Sequence, residues 1–294
     1  MKAAATTEHA QPFSYVCIPG QVLDHRRRRR APHVRILPGG VTVSAFKGGG
    51  NPPVGGIRKP CRGMTKAAAR RFRLRLMSLN WSILDGQFLT LTYHERWGAT
   101  WSDWKNDRRL LEKRLAYHFP NLLGATWRFE FQRRGAPHFH LILCWPKGKR
   151  PHERLMQEVI AQWWSEIIGA SDDKDHCKYG TKVIDCERKS GGLGALLGYL
   201  VKESVKITDG DIDMPTGRCW GSWGDLPTKD LGTYDLTERE YAEFCKRVND
   251  LGAGRSWYLD SISPRWAGFT VLAGPDQVAA LMEGLGERVA DGDV

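Results

Sequence analysis

Two histidines that flank one phenylalanine inside an apolar run are the residues best suited to chemistry, in the segment Pro137-His138-Phe139-His140-Leu141-Ile142-Leu143. On a β-strand alternate side chains share one face, so His138 and His140 point the same way. The preceding segment Trp127-Arg128-Phe129-Glu130-Phe131-Gln132 also alternates and predicts a second strand. Between them, Arg133-Arg134-Gly135-Ala136-Pro137 is typical of a connecting turn.

The predicted hairpin brings Glu130 beside the histidine pair. Two imidazoles and a carboxylate on one sheet face form a candidate site for a divalent metal ion. Taken alone, a His-x-His pattern on a strand is more often structural than catalytic. Its interpretation therefore depends on what the rest of the chain supplies.

Composition limits the class of protein. The chain has 294 residues, enough to bury a full core, and its seven cysteines form no C-x-x-C pair. We therefore expect reduced thiols and neither a disulfide framework nor a zinc finger. The N-terminus lacks an apolar signal core and no apolar run is long enough to span a bilayer. This predicts a cytoplasmic protein with no membrane partner.

The positive charge is concentrated near the N-terminus. The net charge is +11, and residues 1–79 hold 16 Lys and Arg against 2 acids, whereas the remainder holds 28 against 31. Such asymmetry favours a polyanionic partner, most simply nucleic acid. The alternative interpretation is a basic tail that only interacts with solvent.

The element pattern predicts an α+β fold. Residues 1–63 contain Arg26 to Arg30 and several Gly and Pro pairs, which predict a basic, poorly ordered arm. A basic helix from Thr65 is followed by predicted strands at 88–93, 126–132, 138–144 and 181–187, and by helices at 102–119, 153–168 and 193–206. The resulting β-α-β-β-α-β-α order indicates an antiparallel sheet with helices on one face, an RRM-like or ferredoxin-like domain over residues 64–235. Residues 236–294 form a C-terminal extension, with helices at 238–249 and 276–285 and a strand at 269–273.

The helix predicted at 193–206 supplies a second chemical signal. Tyr199, Lys202 and Lys206 lie at i, i+3 and i+7 and so share one face. An ammonium beside a phenol favours the tyrosinate, which is a competent nucleophile, and stabilises charge on an attacked phosphate. By itself Tyr199 is equally well explained as a packed surface tyrosine.

These motifs together resemble the HUH endonucleases, and more closely the rolling-circle replication initiators of filamentous phages and microviruses. The His138-Phe139-His140 strand and, about sixty residues later, Tyr199-Leu200-Val201-Lys202 resemble the second and third motifs of that family. The strand 88–93 resembles its first motif, and Glu130 stands where many initiators have a third metal ligand. Gly217-Arg218-Cys219-Trp220-Gly221 resembles a further element of this group.

The resemblance implies a metal-dependent DNA nickase. Glu130, His138 and His140 would hold Mg²⁺ or Mn²⁺, and Tyr199 would attack the scissile phosphate to give a 5′-phosphotyrosine link and a free 3′-OH. Lys202 would orient the complex or stabilise charge. The partners implied are single-stranded DNA at a replication origin and the helicase and DNA polymerase of a bacterial host. Many relatives have two tyrosines on this helix, whereas residues 193–206 contain one.

Basic residues near these motifs are candidates for contact with DNA phosphates. They are Arg133 and Arg134 in the turn, Lys206 after the tyrosine, and Arg70 and Arg71 in the first helix. Ordinary solvated side chains are the alternative for each of them.

Two other functions remain open from the sequence. A relaxase or a single-tyrosine transposase would use the same chemistry. A non-catalytic module that binds single-stranded DNA or RNA would use an RRM-like sheet and a basic arm. The sheet face distinguishes the last possibility, because a base-stacking sheet would have aromatic residues where Glu130, His138 and His140 stand.

Overall fold

Most of the predicted strands and helices are present in the computed structural model, which describes residues 32–44, 64–95, 97–132, 134–186, 193, 197, 218–252, 258–261 and 268–282. In chain order the elements of these residues are β1 (His33–Leu37), β2 (Gly40–Ser44), α1 (Lys66–Ser78), β3 (Leu84–Thr92), α2 (Trp101–His118), β4 (Gly124–Phe131), β5 (Pro137–Pro146), α3 (Glu153–Ile167), α4 (Lys174–Tyr179), β6 (Thr181–Asp185), β7 (Trp220–Gly224), β8 (Gly232–Asp235), α5 (Glu238–Gly252), β9 (Tyr258–Ser261), β10 (Gly268–Leu272) and α6 (Pro275–Met282). None of the helices in this part of the chain has the length and apolar character needed to cross a membrane.

The histidine strand belongs to a sheet with the order β6-β3-β5-β4-β7, in which every neighbouring pair is antiparallel. Along the chain its elements run β3-α2-β4-β5-α3-β6, the β-α-β-β-α-β order of ferredoxin-like folds. Both α2 and α3 pack into one apolar cluster with the same sheet face. The predicted α+β class, with an antiparallel sheet and helices on one face, is therefore confirmed.

Helix α2 shows why the sequence folds this way. Thr100 and Asp103 form a capping box at its start, and Pro120 follows its end. Its buried residues Trp104, Leu111 and Leu115 are spaced to form one stripe. This stripe packs on alternate strand residues, among them Leu89, Leu91, Phe129, Phe139 and Leu141. The intervening strand residues, including both histidines, therefore face the other side of the sheet.

Helix α1 packs on that other side. Thr65 caps it by accepting a hydrogen bond from the Ala68 backbone N–H. Its Phe72 and Leu76 join Phe88 and Ile142 in a second apolar cluster. Phe88 also stacks on the His140 ring, with the ring centroids 5.3 Å apart, so this cluster borders the histidines.

A second sheet, with the order β8-β1-β2-β10-β9, joins the two ends of the chain. The prediction of a poorly ordered arm over residues 1–63 is therefore wrong for β1 and β2, and the rest of that segment lies outside the described residues. Val34, Ile36, Val41 and Val43 are fully buried against α5 and α6. Gly40 begins β2 with φ +144°, and a Cβ there would lie 2.1 Å from the Val271 carbonyl oxygen. The surrounding Gly and Pro residues hide this short hairpin in the sequence.

Several elements were not predicted, namely α4, β7, β8 and β9. Helix α4 has six residues, too few for a clear helical period. The sequence of β7 is Trp-Gly-Ser-Trp-Gly, and glycine is normally depleted in strands. It forms a strand because β4 offers it a free edge.

Replacement of Trp164 by alanine is expected to lower the free energy of unfolding by about 3–5 kcal/mol. The Trp164 side chain is fully buried, lies edge-on to Tyr93 with ring centroids 5.1 Å apart, and donates a hydrogen bond to the Thr92 carbonyl at 3.0 Å. Urea unfolding of Trp164→Ala measures the loss. Tyr117→Ala is the control, because Tyr117 is 82% exposed and its loss should change stability by less than about 0.5 kcal/mol. Equal stability of the two variants would contradict the packing described.

Candidate metal centre

The β4–β5 hairpin brings Glu130 and both histidines to one sheet face. Its register pairs Glu130 with His138 and Arg128 with His140. Gly135 lies in the connecting turn with φ +79°, a backbone conformation that glycine adopts without strain. The position of the carboxylate beside the imidazoles thus follows directly from strand alternation and the length of the turn.

The three side chains form a compact cluster. One nitrogen of each histidine and a carboxylate oxygen of Glu130 all lie within 4.8 Å of one another. His140 Nε2 donates a hydrogen bond to Glu130 Oε1 at 2.9 Å. The two imidazoles stand nearly perpendicular, with ring centroids 4.5 Å apart. Both histidines are buried, with 8% of His138 and 3% of His140 exposed.

Two threonines of β3 contact the other ring nitrogens. Thr92 Oγ1 lies 3.0 Å from His138 Nδ1, and Thr90 Oγ1 lies 3.4 Å from His140 Nδ1. Both contacts follow from the register of β3 with β5, which pairs each threonine with its histidine. In metal sites such outer partners accept the N–H of the imidazole and leave the second nitrogen for the ion.

Arg128 is a member of the cluster to which the sequence analysis gave no role. Alternation places it on the same face as Glu130, but only the fold shows that it is fully buried. Its guanidinium forms an ion pair with Glu130, with Arg128 Nη2 and Glu130 Oε2 2.6 Å apart. Each oxygen of the Glu130 carboxylate therefore has a partner, His140 at one and Arg128 at the other, and its orientation is fixed.

Burial and neighbouring charges set the protonation of the cluster. Burial alone would raise the pKa of Glu130, but the hydrogen bond from His140 and the positive charge of Arg128 hold that pKa below its usual value. Burial, together with the neighbouring His140, lowers the pKa of His138 to about 3. Near neutral pH the cluster therefore presents an ionised carboxylate and a neutral His138, the forms that bind a metal ion.

The donor set fits a divalent cation. Imidazole nitrogen and carboxylate oxygen are ligands for Mn²⁺ and other first-row ions, and carboxylates also bind Mg²⁺. Thr90, Thr92 and Arg128 hold the three donor side chains in the manner typical of metal sites. The predicted ligands Glu130, His138 and His140 are thus brought together with suitable supporting contacts.

In the absence of metal, the stability of the protein is expected to fall as the pH drops from about 6.5 toward about 3. The pKa of His138 is about 3 in the folded protein and about 6.5 in an unfolded chain, so within this window the unfolded state binds the extra proton. Urea unfolding in EDTA across this window should show a shallower pH dependence for His138→Gln than for wild type. The control His118→Gln, at an exposed position of α2, should keep the wild-type slope. Equal slopes in all three proteins would be incompatible with a buried neutral His138.

The candidate nucleophile and its neighbours lie outside the described residues. These are Tyr199, Lys202 and Lys206, together with Arg133 of the turn. Two residues of the same predicted helix, Leu193 and Leu197, are described and are helical. Leu197 is fully buried in the cluster that contains Phe88. The first turns of the predicted helix therefore pack on the histidine-bearing side of the sheet.

The other predicted DNA contacts are at the surface. Arg70 and Arg71 are exposed on α1. Arg134 donates hydrogen bonds to the backbone carbonyls of Tyr93 and His94, and its guanidinium lies 5.6 Å from the ring centroid of Trp97. In this structure Arg134 thus fastens the turn to the end of β3.

Comparison with known proteins defines a class for the region that contains this site. Residues 86–204 match a family model described as a replication-associated protein of the ORF2 type. The matched stretch includes all three candidate ligands and extends past Tyr199. Together with the relatives below, it confirms the resemblance to rolling-circle replication initiators of the filamentous-phage type.

Two curated proteins are similar at the level of sequence. The replication-associated protein of Pseudomonas phage Pf3 is 26% identical over 177 residues, which are 58% of this chain and 62% of that protein. A protein of Xylella fastidiosa (strain 9a5c) whose name describes it as a replication protein is 26% identical over 197 residues, which are 62% of this chain and 64% of that protein. The chain thus spans slightly less than two thirds of each relative. No solved structure gives a significant match.

Proposed function

We propose that this protein is a replication initiator that nicks single-stranded DNA at an origin and becomes linked to the 5′ end through Tyr199. The observation that carries the proposal is the buried Glu130, His138 and His140 cluster, which lies inside the region that matches the replication-associated family. A polar cluster on this sheet face argues against a sheet that only stacks bases, which would need exposed aromatic residues there.

The assignment of the nucleophile rests on the sequence and on its position in the matched region. Tyr199 belongs to the Tyr-Leu-Val-Lys motif and is the one tyrosine of residues 193–206. The burial of Leu197 beside Phe88 supports the proposal, because Phe88 also stacks on His140. Lys202 lies one helical turn after Tyr199 in the sequence, where its charge would favour the tyrosinate.

The proposed reaction is a transesterification. The phenol oxygen of Tyr199 attacks the scissile phosphorus, the new O–P bond forms, and the bond from phosphorus to the 3′ oxygen breaks. The phenol loses its proton, and the departing oxygen gains one to become a free 3′-OH that a polymerase can extend. In a second transesterification a 3′-OH attacks the phosphotyrosine, which rejoins the displaced strand and releases Tyr199.

The candidate metal ligands serve the same reaction. Mg²⁺ or Mn²⁺ held by Glu130, His138 and His140 would polarise the scissile phosphate and offset the negative charge that develops on it. Arg128 keeps the Glu130 carboxylate ionised and oriented. Thr92 and Thr90 hold the histidine rings through their Nδ1 atoms.

The proposal also defines partners. An initiator that leaves a free 3′-OH needs a DNA polymerase, and the sequence has no G-x-x-x-x-G-K-[ST] phosphate loop that would identify a helicase motor of its own. We therefore assign strand unwinding and extension to enzymes of a bacterial host, with the reaction in the host cytoplasm.

A covalent-adduct assay tests the proposal. The full-length protein is incubated with single-stranded DNA from its own replicon and Mn²⁺, and the products are separated on a denaturing gel. We expect a protein–DNA band that disappears with EDTA and with protease. A protein that retards this DNA on native gels but forms no covalent product would instead be a non-catalytic binding module.

A further inference from the structure

A basic pocket lies between α2 and the edge strand β7, on the side of the sheet opposite to the metal centre. It has a volume of about 340 Å³, within the roughly 300–1,000 Å³ of pockets that hold small ligands. Four cationic side chains line it, namely Lys105, Arg108, Arg109 and Arg218, against one carboxylate, Glu112. This excess of positive charge in a concave site favours an anionic ligand.

Arg108 is the cation at the base of this pocket. It is 4% exposed, and its guanidinium lies 4.1 Å from the ring centroid of Trp127. Glu112 pairs with Arg108 Nη1, but within the described part of the chain Arg108 Nε has no hydrogen-bond acceptor. Burial and the nearby charge of Arg109 lower the pKa of Arg108 to about 10. The local charge is therefore not balanced by the protein itself.

Aromatic side chains form the walls. Trp101, Trp127 and Trp223 line the pocket, and the first and last of these are partly exposed. The indole Nε1–H of Trp223 is buried and has no acceptor among the described residues. Gly221 lets β7 approach Trp127 closely, since a Cβ there would lie 2.9 Å from the Trp127 ring. The Gly-Arg-Cys-Trp-Gly motif that ends at Gly221 thus helps to shape this pocket.

We infer that this pocket binds the sugar–phosphate backbone of single-stranded DNA, with a phosphate on the cations and a base against the exposed indole surface. Guanidinium groups bind phosphate oxygens through paired N–H donors, and indoles stack on unpaired bases of any sequence. The site is a second, sequence-independent contact at the sheet edge next to β4, the strand that carries Glu130. The inference rests on the proposed function for its ligand, but it is independent of the nicking reaction.

The test measures equilibrium binding of a fluorescein-labelled oligothymidylate to the full-length protein by fluorescence anisotropy at several salt concentrations. We expect Lys105→Ala/Arg109→Ala to weaken binding roughly 10- to 30-fold at 0.1 M salt and to reduce the slope of log K against log salt by about 1.4, from about 0.7 for each lost phosphate contact. The matched control Lys113→Ala/Lys149→Ala removes the same charge from exposed positions outside the pocket and should keep the wild-type slope.

Two single variants report on other walls of the pocket. Arg218→Ala, at an exposed position before β7, should weaken binding with a smaller change of slope. Trp223→Phe keeps a ring but removes the indole N–H, and should weaken binding with no change of slope. Wild-type affinity in Lys105→Ala/Arg109→Ala and in Arg218→Ala would overturn the inference, as would equal losses in the control.

The outcome is separable from that of the proposed function. Oligothymidylate need not be cleaved, so a wild-type protein that forms no adduct with origin DNA but loses oligothymidylate binding in the pocket variants would refute the nickase and support the pocket. Normal adduct formation with unchanged oligothymidylate binding in the pocket variants would do the reverse.

Discussion

Replacement of Tyr199 by phenylalanine is expected to reduce the covalent protein–DNA adduct to background. The substitution removes one oxygen atom and leaves the ring, so a loss of adduct identifies that oxygen as the nucleophile. The measurement is the denaturing-gel assay with single-stranded origin DNA and Mn²⁺. Binding of oligothymidylate should stay at the wild-type level, because the phenol oxygen forms a bond only in the chemical step.

The controls for this prediction separate chemistry from folding. Tyr117→Phe changes a tyrosine that is 82% exposed on α2 and should leave the adduct unchanged. Lys202→Met should slow adduct formation and still permit it, because the lysine assists the tyrosinate and forms no bond with DNA. An undiminished adduct in Tyr199→Phe would assign the nucleophile to another residue and would remove the single-tyrosine interpretation.

The cluster of Glu130, His138 and His140 could be predicted from the sequence because its causes are local. A period of two fixes which side chains share a face, and a short turn fixes which strand residues stand opposite each other. The observed pairing of Glu130 with His138 follows from these two facts alone. For the same reason α2 and α3, whose apolar spacing is regular, were predicted within one or two residues of their ends.

Features that depend on distant parts of the chain were not predicted. Val41 of the missed hairpin pairs with Val271 of β10, and no local pattern reports such a partner. Arg128 was placed on the correct face, but its complete burial depends on the elements packed around it. The basic pocket likewise requires that β7, a glycine-rich segment, align on β4 beside α2. The role of Tyr199 stays a prediction.

Loss of both histidines is expected to have the second large effect. In His138→Ala/His140→Ala the candidate site keeps one of its three ligands, so the rate of adduct formation should fall about 10³-fold or more, in line with the loss of the main charge stabilisation at a transferred phosphate. Isothermal titration with Mn²⁺ provides a readout that does not depend on activity, and the wild-type binding signal should be absent from the variant.

The control for this prediction is His94→Ala. His94 lies two residues after Thr92, but its Nδ1 is bonded to Asp173 at 2.6 Å, and it is not a member of the three-residue cluster. This variant should bind Mn²⁺ and form the adduct as the wild type does. If His138→Ala/His140→Ala retained Mn²⁺ affinity, the ion would bind elsewhere and the cluster would be structural. If Mn²⁺ binding were lost while the adduct still formed at the wild-type rate, Tyr199 would act without a metal ion at this site, and the buried Arg128 would be the cation nearest to Glu130 that remained to offset charge at the phosphate.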